Sequence, residues 1–143
     1  MTPDFMAQLH AKCFPERAWS VAEFESLSNQ NGCIIQSTPE NTGFVLARSA
    51  LDEAEILTIA VDPAFRRRGH GRLLIQTLSD QLVELTPPCP TLFLDVSANN
   101  IPAYNLYIQL GFKETGRRKG YYRDKAGQTA DAVLMKASCP LVR

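Results

Sequence analysis

The stretch that most constrains this chain is EILTIAVDPAFRRRGHGRLLIQTLSDQLVEL, from Glu55 to Leu85. It reads as a strand, a tight basic turn with two glycines, and a long amphipathic helix. Leu73, Leu74, Leu78, Leu82 and Leu85 define one apolar face of that helix. Pro87, Pro88 and Pro90 forbid its continuation. Gly69 and Gly71 lack Cβ atoms, so the backbone there is able to approach a ligand closely. The first amides of a helix have no intrahelical partner, and the macrodipole adds roughly half a positive charge at the same end. Together they make an anion site. Arg66, Arg67, Arg68 and Arg72 supply forked donors suited to phosphate oxygens, while His70 reads as a spacer. The third glycine of a dinucleotide fingerprint and the G-K-[ST] of a P-loop are both missing. The stretch therefore reads as a cradle for a diphosphate-bearing cofactor. The plainer alternative is a solvated basic helix start.

The other segments arrange themselves around this one. Thr2-Pro3-Asp4 opens a helix with a hydroxyl cap, a proline in the first turn and an acid near the positive dipole end. Phe5, Leu9 and Cys13 repeat at helical spacing with Met6 beside them, and Pro15 ends that helix. Ser20-Val21-Ala22-Glu23 is a capping box for a second helix to about Asn29, which buries Phe24 and Leu27. Trp19, just before the cap, fits a staple residue, and the loop from Phe14 to Ser20 also suits a substrate entrance. Cys33–Thr38 and Gly43–Ser49 read as a hairpin around the turn Pro39–Thr42, and a turn at Asp52-Glu53 leads into the strand Glu55–Val61. Downstream come a strand at Thr91–Val96, a helix at Ile101–Leu110 capped by Asn99 or Asn100 and ended by Gly111, a strand from Phe112, and a last strand at Ala132–Lys136. This order implies one α/β (α+β) domain over residues 1–143, with a mixed sheet split in the middle.

Composition excludes several classes. The formal net charge is +0 and 45% of residues are hydrophobic, so the chain has a core but no field for wrapping nucleic acid or holding an anionic membrane. Cys13, Cys33, Cys89 and Cys139 are scattered, with no C-x-x-C pair and no zinc set, so no metal is expected. Free thiols and the acidic start MTPDFMAQLH point to a cytoplasmic chain.

The motifs resemble one family. VDPAFRRRGHGR is similar to the acetyl-coenzyme A signature of the GNAT acetyltransferases, [QR]-x-x-G-x-[GA], standing here as Arg66-x-x-Gly69-x-Gly71. LDVSANNIPAYNLYIQLGF resembles that family's downstream strand and helix. The ending GRRKGYYRD…ADAVLMK looks like its bacterial branch of ribosomal-protein-alanine N-acetyltransferases, the RimI type. The resemblance spans about Asp52 to Lys136. It implies a mixed, mostly antiparallel sheet splayed open in the middle, with helices on both faces and acetyl-coenzyme A in the split. Backbone groups of Ile59, Ala60 and Val61 would pair with the pantetheine arm, the amides of Arg67–Arg72 would hold the diphosphate, and Asn100 would touch the pantetheine side. Tyr107 would stand near the sulfur. The acceptor implied is a protein N-terminus, that of a ribosomal protein in this branch; the chain is expected to be a monomer or weak dimer, with neither nucleic acid nor membrane as a partner.

That chemistry needs a neutral amine, a group to take its proton, a donor for the developing oxyanion and a proton for the leaving thiolate. A backbone N–H near Val61 is the oxyanion donor expected and the Tyr107 hydroxyl the acid. Asp95 is the first candidate base and Glu55 the second; either also suits a structural partner of a basic residue. Asp95 stands where the branch has glutamate and is one methylene shorter, and Ser97 stands where an arginine is common. Tyr121 and Tyr122 suit either a wall of the peptide channel or a cross-strand aromatic pair. The rivals are a GNAT enzyme for small amines or lysine side chains, and a coenzyme-A-binding module without turnover.

Overall fold

The computed structural model describes residues 1–141. Helices α1 (Pro3–Cys13) and α2 (Val21–Ser28) precede strands β1 (Cys33–Ser37), β2 (Gly43–Ala50) and β3 (Glu53–Val61). A 3-10 turn at Pro63–Phe65 leads to α3 (His70–Glu84), then β4 (Thr91–Ser97), α4 (Ile101–Gln109), β5 (Lys113–Arg123) and β6 (Thr129–Ser138). The strands form one six-stranded sheet in the order β1-β2-β3-β4-β6-β5. Only β3 and β4 run parallel; the other neighbours are antiparallel.

The local signals fold as their chemistry requires. Thr2 caps α1 by accepting the Phe5 N–H, and both halves of the Ser20–Glu23 capping box form. Trp19 packs on Phe24 with ring centroids 5.4 Å apart, as a staple across the start of α2. Gly111 takes a left-handed φ of 98° after α4. Two apolar faces differ from expectation. In α3, Leu73 is exposed and Ile75 is buried with Leu74, Leu78 and Leu82. At 3.6 residues per turn Leu73 falls nearly opposite the centre of that buried arc. In α1, Phe5 is exposed, because the buried stripe runs through Met6, Leu9 and His10. The expected turn at Asp52-Glu53 is tighter than supposed, so β3 begins at Glu53, and β6 extends beyond both ends of Ala132–Lys136.

The sheet separates two cores. On one face α3 and α4 cover Val45, Ala47, Ile56, Leu92, Leu94 and Val133. On the other, α1 and α2 cover Phe44, Leu46 and Ala60. A β-bulge decides how β3 serves both. Leu46 pairs with Thr58 but Ala47 pairs with Ile56, so Leu57 is an extra residue. Ile56 faces the α3 core while Leu57 packs on the α1–α2 core, and from Ile59 the alternation resumes. A bulge bends and twists its strand. Pairing of β3 with β4 stops at Glu55–Phe93, just before it. Beyond that point the two strands diverge and a split opens.

Buried His10 ties the α1–α2 corner to β3. Its Nε2 lies 3.1 Å from Thr58 Oγ1, and its Nδ1 accepts the Trp19 backbone N–H at 3.1 Å. An acceptor at Nδ1 fixes a neutral ring with the proton on Nε2. Phe14, Trp19 and Phe24 surround it, with centroids 4.5, 4.9 and 5.5 Å away. Burial lowers its pKa from 6.5 to about 4, against a smaller upward pull from Glu23. The unfolded chain takes up this proton near 6.5 and the folded chain resists until about 4, so stability falls as pH drops through that window. The contribution fully present above pH 6.5 is at most about 3 kcal/mol. Urea denaturation between pH 7 and pH 4.5 is expected to show this slope in the wild type, and to show a clearly shallower one in His10→Asn.

Candidate active site

The turn after β3 is built to leave amides unclaimed. Asp62 opens it, accepting the Ala64 N–H at 3.0 Å. That bond chiefly, with Lys12 at 3.4 Å, holds the Asp62 carboxyl below its ordinary range. Arg67 and Gly69 both take left-handed conformations, with φ of 65° and 80°. Gly69 is the N-cap of α3 and no side chain caps the helix. A Cβ on Gly69 would meet nothing within 4 Å, and one on Gly71 would meet only Leu106 Cδ2, at 3.4 Å. The first turn of α3 thus presents free N–H groups to open space, the arrangement that suits diphosphate oxygens.

The arginines around this turn differ in engagement. Arg66 Nε donates to the Val61 carbonyl at 3.3 Å, Arg68 lies 5.3 Å over the Phe65 ring, and Arg72 donates to Gln109 at 2.7 Å, joining α3 to α4. Arg67 is exposed. The side chain of His70 is no open spacer. Its Nδ1 is 2.8 Å from Thr42 Oγ1 and its ring stacks on Phe65, so it anchors the turn to the β1–β2 corner.

The split runs from this turn along β3. The Asp62 N–H donates to Thr42 O, and Ala60 pairs with Phe44 in the same register. In an antiparallel ladder bonded pairs alternate with unbonded ones. The N–H groups of Ile59 and Val61 therefore point away from β2, into the split, while Ala60 faces β2. The Val61 carbonyl receives the Cys13 thiol at 3.2 Å as well as Arg66. Asn100 caps α4, accepting the Ala103 N–H at 3.3 Å, at the end of β4 that borders the same opening.

Tyr107 and Asp95 approach from opposite faces. Tyr107 is 6% exposed in the α3–α4 core, edge-on to Phe112. Burial, with a smaller effect from Tyr122, pushes its pKa up to about 12. On β4, Leu92, Leu94 and Val96 fill that core, so by alternation Asp95 faces the α1–α2 side. Tyr122 feels Asp95 electrostatically: burial first, then the Asp95 carboxylate and Tyr121, raise its pKa. Asp95 and Glu55 share one groove of about 470 Å³, lined also by Arg48, Glu53, Arg118 and Tyr121. Trp19 lies outside that lining, turned into the α1–α2 core.

The two tyrosines are not a cross-strand pair. Arg118 pairs with Ala132 and Tyr122 with Ala130, so Lys119, Gly120 and Tyr121 together face only Asp131. Gly120, with φ of 59°, absorbs the bend and donates to Asp131 at 3.0 Å. The bend brings sequence neighbours Tyr121 and Tyr122 edge to face, with centroids 5.2 Å apart. Residues that motif reasoning passed over complete this side. Glu16 accepts the Lys125 N–H at 3.1 Å, and Arg17 lies 5.4 Å over the Tyr122 ring. They sit in the loop that the sequence suggested as an entrance, but no spacing rule singles them out. Among the described residues no three His, Cys, Asp or Glu side chains gather to hold a metal ion.

The family model of the acetyltransferase (GNAT) family matches residues 3–112. The chain belongs to the GNAT acetyltransferase family. It is 38% identical over 127 residues to the ribosomal protein bS18-alanine N-acetyltransferase of Salmonella typhimurium, covering 87% of this chain and 82% of that one. It is 36% identical over 140 residues to the Escherichia coli K12 enzyme of the same name, covering 94% and 90%. The crystal structure of the ribosomal-protein-S18-alanine N-acetyltransferase from Escherichia coli superposes with a TM-score of 0.82 at 31% identity, over 100% of this chain and 92% of that one. This GNAT enzyme therefore shares its fold, end to end, with that solved N-acetyltransferase.

The Gly69 conformation gives a direct check. Because a Cβ there meets open space, Gly69→Ala is expected to cost about 1 kcal/mol from backbone strain alone, read by urea denaturation. A neutral or stabilising result would contradict the left-handed cap.

Proposed function

We propose that this GNAT enzyme moves the acetyl group of acetyl-coenzyme A directly to the α-amine of a protein N-terminus, the terminal alanine of a ribosomal protein. The observation that carries this reading is the likeness to ribosomal protein bS18-alanine N-acetyltransferases at 36–38% identity over at least 82% of either chain. The free amides at Gly69–Arg72 fit a diphosphate, and the inward N–H group of Ile59 fits an extended amide-bearing arm laid along β3. The chain acts as a single domain, in the cytoplasm. Among the described residues no helix is long and apolar enough to cross a membrane.

The amine's basicity favours the same acceptor. An α-amino group has a pKa of about 7.7–8 and a lysine about 10.4, so freeing a lysine for attack near neutrality costs about 3 kcal/mol more. In the reaction the amine nitrogen bonds to the thioester carbonyl carbon and the carbon–sulfur bond breaks. The Val61 N–H receives the developing oxyanion. Asp95, directly or through a water, takes the proton the nitrogen loses; Glu55 stands farther along the groove as the second candidate. The Tyr107 hydroxyl, kept protonated by its high pKa, gives the departing sulfur its proton. Tyr122, whose charge state is felt by Tyr107 and which itself feels Asp95, offers the route by which the first proton replaces the second.

Thiol release with three acceptors tests the acceptor class: a peptide with a free terminal alanine, the same peptide blocked at its terminus but bearing lysine, and a polyamine. Turnover is expected on the first alone, and turnover confined to the polyamine overturns the reading. Tyr107→Phe is expected to lower kcat about 100-fold with the chain still folded. An unchanged kcat removes the acid from Tyr107.

A further inference from the structure

His10 has no place in the chemistry above, yet it is 2% exposed and fully engaged. Its two ring nitrogens hold different elements: Nε2 meets Thr58 on β3, and Nδ1 accepts the backbone N–H of Trp19. Trp19 ends the loop that leaves α1 at Phe14 and enters α2 at Ser20. The same loop reaches across to the β5–β6 hairpin twice, through Glu16 to the Lys125 N–H and through Arg17 over the Tyr122 ring. Tyr121 of that hairpin lines the same groove as Asp95, and its ring packs edge to face on Tyr122.

A backbone N–H buried without an acceptor costs about 1–3 kcal/mol. No backbone carbonyl takes the Trp19 N–H, so the imidazole is what seats this end of the loop. We propose that His10 is a positioning residue for the acceptor side: by accepting the Trp19 N–H it fixes the Phe14–Ser20 loop, which through Arg17 and Glu16 holds the Tyr121–Tyr122 hairpin against Asp95. The inference rests on the acceptor assignment above, and it concerns acceptor binding rather than the donor or the chemical step.

Two substitutions separate the nitrogens. Asn at position 10 places its carbonyl oxygen near Nδ1, retaining the acceptor for Trp19 and losing Thr58. Gln places its amide near Nε2, retaining Thr58 and losing Trp19. With the terminal-alanine peptide, His10→Gln is expected to raise the acceptor KM about 5- to 20-fold with the donor KM unchanged. His10→Asn is expected to stay within about 2-fold of wild type. A residue that only fills the core would give equal effects in the two variants, or no change in acceptor KM, and either result overturns the proposal.

Trp19 is the single tryptophan of the chain and stacks on His10, so its emission reads the loop without turnover. A red shift in His10→Gln and none in His10→Asn is expected. If the wild type acetylates no N-terminal peptide, the acceptor reading fails and this emission pair alone decides whether His10 seats the loop. If neither His10 variant folds, exposed Arg17→Gln decides: a raised acceptor KM supports the proposal and an unchanged one overturns it.

Discussion

The structure depends on the loss of one set of backbone hydrogen bonds. β3 and β4 pair at Glu53–Thr91, Ala54–Leu92 and Glu55–Phe93, and then part. The extra residue at Leu57 supplies the bend, because two consecutive side chains must serve the α1–α2 face. Unpaired strand edges inside a sheet are costly unless something occupies them. Here the open edges border a helix start with unclaimed amides on one side and a groove with carboxylates on the other. The same defect that weakens the sheet opens the space in which the proposed reaction brings donor and acceptor together.

The two faces of the split have different physical characters, and the proposed reaction uses the difference. The α3–α4 side is dry, which keeps the Tyr107 hydroxyl protonated far above neutral pH. The α1–α2 side is polar around Asp95, Glu55 and Arg118. Tyr122 meets both environments, and Arg17 over its ring links that junction to the helical corner held by His10. A chain of contacts thus runs from a buried imidazole to a hairpin bend, outside any signature motif, and the proposed acceptor geometry rests on it.

Local chemistry made much of the fold legible. Caps at Thr2, Ser20 and Asn100, the stop at Gly111 and the strand–turn–helix around Gly69 depend on near neighbours in sequence, and each stands where its residues require. The family motifs brought Glu55, Asp95 and Tyr121 to one groove and Tyr107 to the far side of the same split. What escaped depends on distant partners. On α3 five leucines mark an apolar face in the sequence, and Leu74, Leu78 and Leu82 are buried there, but packing selects Ile75 over Leu73. His70 looked free because its anchor, Thr42, lies 28 residues away. Tyr121 and Tyr122 pair through a bend that no alternation rule anticipates. The contacts of His10, Glu16 and Arg17 arise only once the chain has folded, when α1 meets β3 and the loop meets the hairpin.

Amide hydrogen exchange, resolved by residue and followed with and without coenzyme A, tests the split most directly. The amides of Ile59 and Val61 point into it, whereas that of Asp62 is already bonded to Thr42. Coenzyme A is expected to slow exchange at Ile59, Val61 and the amides from Arg67 to Arg72, and to leave Asp62 unchanged. Protection confined to the groove around Glu53 and Arg48, with Ile59 and Val61 unaffected, would contradict the assignment of the split as the donor site.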